Sequence, residues 1–217
     1  LTVAVSELKP AWSSDEETAF EHLSGWDGRA DPNRWGPALY REWRQVCREA
    51  GRAADEQSIS TATALSEQTK GHLIKALREA VRRQKQRYGH LDVRWREIHR
   101  SRQGKRSWAM PGVDQVNMRS LRKIRTVKEN VVDYAVSGQS APTVMIFDPK
   151  GIRSYSAVPF GQSDRLDSPN SWDQAEVLFT QHRLKPTRFD TKPPDLKKKD
   201  VLRLPDDLFT QPTSKIE

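Results

Sequence analysis

Positive charge in this chain is confined to its middle. Residues 61–130 carry 18 Lys/Arg against 6 Asp/Glu, a net of +12, whereas residues 1–60 carry 7 against 11 (−4) and residues 131–217 carry 12 against 12. A concentrated excess constrains folding more than a diffuse one, because like charges brought together on one surface repel unless something opposite meets them. Apolar content limits the alternatives. Hydrophobic residues make up 35% of the 217 and charged residues 30%, against roughly 45–50% apolar in a typical globular chain. Burial at about 25 cal/mol per Å² has to offset about 1–2 kcal/mol of ordering cost per residue, so such a chain orders about half its length around its own core. Seven Trp (12, 26, 35, 43, 95, 108 and 172) act against disorder as local core or docking anchors.

Helical signals dominate the first two thirds. Ser14 and Glu17 have capping-box spacing for a short helix over 15–23. Residues 24–36 read as a packed loop with Trp26 and Trp35 embedded. Pro37 suits a helix start, and Leu39, Trp43, Val46, Cys47 and Ala50 recur at helical spacing. The longest helix is expected from Leu65 to Tyr88, with a kink or cap at Gly89 and a second helix to Arg102, resumed by Leu91, Trp95 and Ile98. Residues 104–112 read as a basic loop carrying Trp108. Met118, Leu121, Ile124, Val127, Val131 and Tyr134 predict an amphipathic helix over 115–136.

After that the period changes. Residues 143–158 predict a β-hairpin with Asp148-Pro149-Lys150-Gly151 at its turn, and a short helix capped by Ser171 is expected over 172–182. From Leu184 onward, Pro and Lys clusters without periodicity predict an extended tail. The expected fold is mainly α: a small irregular helical domain with one β-hairpin and long extended N- and C-terminal segments. Its divisions are an acidic-to-neutral helical region (1–60), a basic helical core (61–138), a hairpin plus short helix (139–183) and a Pro/Lys-rich tail (184–217).

Within the basic core the cations Arg78, Arg82, Arg83, Lys85, Arg87, Arg94, Arg96, Arg100, Arg102, Lys105 and Arg106 are opposed only by Glu79, Asp92 and Glu97. Arg78, Arg82 and Lys85 share a helical row, as do Arg96 and Arg100. A second cluster holds Arg119, Arg122, Lys123, Arg125 and Lys128. The planar guanidinium fork suits bidentate phosphate contact, so these residues, with Arg122 and Lys123, are the candidate nucleic-acid contacts. The competing reading is a solvated outer face, or cations paired with an acidic protein neighbour.

Signals for catalysis are missing. The five His form no H-x-H or H-E-x-x-H pattern, the single Cys47 excludes Cys-based metal sites, and no phosphate-cradling glycine motif or G-x-S-x-G elbow occurs. No catalytic residue, metal or cofactor is therefore expected. Asp148 follows a strand, but Pro149 and Gly151 explain it as a turn residue. Residues 25–28 (Gly-Trp-Asp-Gly), 33–36 (Asn-Arg-Trp-Gly) and 57–59 resemble the opening of α-type carbonic anhydrases, but the zinc-holding His-rich strands of that family are absent.

The functional expectation is a non-catalytic structural subunit of a large ribonucleoprotein, an organelle ribosome, contacting rRNA backbone and neighbouring protein subunits. The alternative is an accessory subunit of a mitochondrial membrane complex, with the cations meeting acidic subunits or lipid headgroups. A viral structural protein fits the composition less well. No apolar run is long enough to span a membrane. The start at Leu1, without Met, suggests a removed targeting segment or a trimmed chain, and with it a mitochondrial location.

Overall fold

The structure, a computed structural model, describes residues 4, 7–8, 11–50, 65–114, 118–120, 124–138, 141–187 and 202–203. They form two compact units, 1–99 with 128–133, and 100–127 with 134–217.

The first unit is helical. Helix α1 (Ser14–Ser24) starts one residue earlier than expected: Ser13 is the N-cap, its hydroxyl accepts from the Glu16 N–H, and the Glu16 carboxylate accepts from the Ser13 N–H (3.0 Å). The same box chemistry is used, shifted by one position. Helix α2 (Gly36–Glu49) has Pro37 in its first turn. Gly36 is required there, because an added Cβ would lie 2.3 Å from the Trp26 ring. Helix α3 (Glu67–Tyr88) is capped by Ser66 and stopped by Gly89 in the left-handed conformation (φ 82°). Leu39, Trp43 and Cys47 of α2 meet Leu73, Leu77, Ala80 and Val81 of α3 in one buried cluster, with Trp12 and Phe20 packed against it. The Trp43 indole N–H donates to the Leu73 carbonyl (3.2 Å). One turn of helix, α4 (Trp95–Ile98), closes the unit; Trp95 is fully buried, and its amide donates to the Arg34 carbonyl (2.9 Å).

The second unit is built on strands. Strands β1 (His99–Gln103), β2 (Arg106–Ala109), β3 (Ile124–Glu129) and β4 (Val132–Gly138) form a sheet in the order β2-β1-β4-β3. A second sheet runs β5-β6-β7-β8, from β5 (Thr143–Asp148), β6 (Gly151–Ser156), β7 (Arg183–Pro186) and β8 (Leu202–Arg203). Between β6 and β7 lie two 3₁₀ turns and the five-residue helix α5 (Asp173–Val177). Gly161 fixes this connection, since a Cβ there would come within 1.8 Å of the Asn170 carbonyl oxygen, while its own amide donates to the Ser171 carbonyl (2.8 Å).

A mainly α fold is therefore not what forms: helix accounts for 41% and strand for 25% of the described residues, in two sheets. The largest correction falls in the helix expected over 115–136: from Ile124 onward β3 and β4 stand in its place, and residues 115–117 and 121–123 lie outside the described residues. Ile124, Val127, Val131 and Tyr134 mimic a helical stripe, yet Val127 is 53% exposed while Ile124 is buried. The β-branched residues are better served by extended backbone, where their χ1 freedom is less restricted. Asn130, at φ 54°, supplies the left-handed turn between the strands. The helix expected to run to Arg102 lasts one turn before β1 begins, and the expected basic loop is strand β2, joined to β1 through Gly104 (φ 58°) and Lys105. The expected hairpin at 143–158 does form, in register Asp148↔Gly151, but it is one of several. The helix expected over 172–182 is limited to α5 and flanking 3₁₀ turns. Of the expected tail, residues 184–186 belong to β7, and 188–201 and 204–217 lie outside the described residues.

Candidate functional site

The cations of α3 singled out in the sequence meet opposite charge inside the first unit. Arg78 reaches Glu16 (3.3 Å) and donates to the Ala11 carbonyl (2.8 Å), and Lys85 pairs with Asp15. Arg82 and Arg83 both hold Glu79 at 2.7 Å, and Arg83 also reaches Glu49 at 2.6 Å. Arg87 pairs with Glu42 (2.5 Å), whose side chain is only 7% exposed. The acidic partners come mainly from α1 and α2, the block with the negative net charge, so the cations of α3 tie three helices together. Two guanidinium groups on one carboxylate hold the Glu79 carboxyl down at about 2, well below the ordinary range. Arg94 lies over the Trp35 ring (5.8 Å), and Arg96 donates to the Asn33 side chain (3.1 Å).

The remaining candidates lie in the second unit. Arg100 bonds the Ser107 hydroxyl (2.8 Å) and carbonyl (3.0 Å) across β1 and β2. The Arg102 guanidinium lies over the Tyr134 ring at 4.4 Å, and that of Arg106 over the Trp172 ring at 3.6 Å with Glu176 at 4.0 Å. Lys105 is exposed in the turn. Arg122 and Lys123 lie outside the described residues. The fold thus distributes these side chains over two units, most of them engaged with neighbours.

Sequence reasoning missed a concave feature of the second unit. A cavity of about 480 Å³ opens in the second unit, between β1, β2, β4 and the loop after β6. Its apolar wall includes Trp108, Met110, Ile124 and Phe160; its polar wall includes Arg102 and Gln103, and no Asp or Glu is among the lining residues. The Trp108 indole Nε1 and the Gln103 Oε1 are both buried without a hydrogen-bond partner among the described residues. An unpaired buried donor or acceptor costs about 1–3 kcal/mol, so the two residues carry polar groups that the surrounding strands leave unsatisfied. The available signal was Gly104, which forms the turn between the paired strands that carry Gln103 and Trp108; reading that stretch as helix and loop scattered them.

Asp148 accepts from the Lys150 amide (2.8 Å) and pairs with Arg153 (3.0 Å), as a turn residue does. Cys47 is buried. Among the described residues no group of three or more His, Cys, Asp or Glu could hold a metal ion, and no helix is long and apolar enough to cross a membrane.

The family model described as penicillin amidase matches residues 2–193. No curated relative matches the chain. The family is one of hydrolases of the N-terminal-nucleophile class, amidohydrolases acting on small substrates. That finding overturns three linked expectations: a non-catalytic ribosomal subunit with its mitochondrial membrane-complex alternative, the absence of an enzymatic role, and rRNA with neighbouring subunits as partners. The physical reason is the one seen in the ion pairs: the basic row of α3 forms, but its charge is neutralised within the chain instead of being held for a polyanion. The match spans helices and sheets alike and most of the chain's length, and by it the chain belongs to the penicillin amidase family.

Proposed function

We infer that this chain works as part of an amidohydrolase that cleaves the amide bond between a small acyl group and an amine. The observation that carries this reading is the family match across residues 2–193, which takes in both compact units. In such a reaction a nucleophile adds to the amide carbonyl, preorganised donors hold the oxyanion, and the amine leaves with a proton. The role we assign to the described residues is to build the protein around that chemistry. The charge-clamped helices give a rigid framework, and the strand unit offers an apolar cavity with polar groups on one wall.

The test is a substrate panel. The protein is incubated with N-acyl 4-nitroanilides and other small N-acyl amides, and both the amine and the carboxylic acid are quantified. Equal release of the two from at least one acyl series is expected. Release of neither across aromatic and aliphatic acyl groups would overturn the reading.

A further inference from the structure

We propose that residues 161–171 form a strap across the mouth of the second-unit cavity, and that lifting its tip controls passage between the cavity and solvent. The segment starts from the cavity rim, since Pro159 and Phe160 line the cavity just before it begins. Its two ends are tied together. The Gly161 amide donates to the Ser171 carbonyl (2.8 Å), and the Gln162 amide donates to that of Asn170 (2.7 Å). A surface loop closed in this way at its ends and packed by its own side chains is an Ω-loop, a form frequently put to functional use.

The tip of the strap meets the rim at a second point. Leu166 lies over the turn between β1 and β2, where a Cβ on Gly104 would come 3.5 Å from the Leu166 Cδ1. The neighbouring Gln103 lines the cavity. The two anchors differ in kind. Backbone hydrogen bonds hold the neck, whereas polar groups of the tip bond within the tip. The Ser168 amide donates to the Arg165 carbonyl (3.0 Å), the Arg165 amide to the Ser163 hydroxyl (3.3 Å), and the Arg165 guanidinium to the Asp167 carboxylate (2.8 Å). Leu166 supplies the apolar contact with the turn, and it remains 62% exposed. A contact that buries so little of a leucine holds far less firmly than full burial, so the tip is the end that lifts and the bonded neck is the hinge. The inference does not depend on the amidohydrolase reading, because access to the cavity is measured without turnover.

The experiment places a thiol on the cavity wall of the full chain and times its capture. Ser101→Cys and Ala135→Cys, made separately, each put one sulfur among the lining residues, and iodoacetamide alkylates it with loss of iodide. The parent chain, whose single Cys47 is buried, gives the background rate. Adding Leu166→Ala should speed alkylation at both positions by about two- to fivefold, the factor expected when part of a leucine's burial is lost. The Gly161 and Gln162 amides should exchange with deuterium no faster in that variant, because the neck stays closed. Phe147→Thr, which removes another exposed apolar side chain of the same unit, should leave alkylation unchanged. Equal alkylation rates with and without Leu166, a matching acceleration in Phe147→Thr, or faster exchange at the neck would each overturn the proposal. The two thiol positions are independent, so if one variant fails to fold by far-UV circular dichroism the other decides.

Discussion

The two units handle their awkward side chains in opposite ways. The helical unit carries charge that would repel itself if left alone, and opposes it with carboxylates on neighbouring helices, as in Arg87 with Glu42 and Arg83 with Glu49. The strand unit carries its cations over aromatic rings, Arg102 on Tyr134 and Arg106 on Trp172. It also leaves apolar side chains outside, among them Met145, Phe147, Ile152 and Phe160. Phe147 and Ile152 are paired across β5 and β6 and are 71% and 62% exposed. A surface closed by ion pairs has little left to offer a ligand, whereas a surface with exposed apolar side chains retains burial energy. In this molecule the basic segment identifies the framework, and the less conspicuous strand unit holds the candidate binding chemistry.

The sharpest way to break that comparison is to remove packing on each side. Leu77 is 1% exposed at the centre of the helical cluster, so Leu77→Ala should cost about 2–5 kcal/mol in denaturant unfolding. Phe147→Thr in the strand unit should change stability by less than about 0.5 kcal/mol. A comparable loss in both would mean that Phe147 is packed and the exposed sheet face is not real.

Acid sharpens the same contrast with a smaller effect. The Glu79 carboxyl is held at about 2 against an ordinary 4.5 by its bonds to Arg82 and Arg83. A carboxylate depressed in the folded state contributes stability that is present above the unfolded value and is lost as pH falls through the folded one. Stability should therefore decline between about 4.5 and about 2 in the wild type, with a shallower decline over that window in Glu79→Gln, measured by unfolding at fixed ionic strength. Identical profiles would show that the two guanidinium contacts do not form in solution.

Much of the helical unit was legible from residue order because its signals are local. Ser66 and Gly89 bracket α3, and Pro37 opens α2, through backbone chemistry that a few neighbouring residues determine. The strands were less legible because their evidence is distributed. In 124–134 a helical spacing of apolar residues competes with β-branched composition, and the left-handed Asn130 turn decides between them. The hairpin at 143–158 was readable because both signals agreed there. The cavity was invisible for a related reason: Arg102, Gln103 and Trp108 come together with Phe160 only once β1 and β2 are paired. The row Arg78, Arg82 and Lys85 lies on α3 as expected, whereas Arg96 and Arg100 share no helical row, because α4 ends at Ile98 and Arg100 belongs to β1. The complement of the α3 row was present too, in the net −4 of residues 1–60, but nothing in residue order brings Glu42 to Arg87.

The central claim, that the cations of α3 close on the chain's own carboxylates, is tested most directly by a double-mutant cycle on Glu42 and Arg87. Glu42→Gln, Arg87→Gln and the double variant are compared by denaturant unfolding in the full chain. A coupling energy of about 1 kcal/mol or more, lower at high salt, is the predicted result. Additive effects with no coupling would contradict the account and leave the cations of α3 without the structural role assigned to them here.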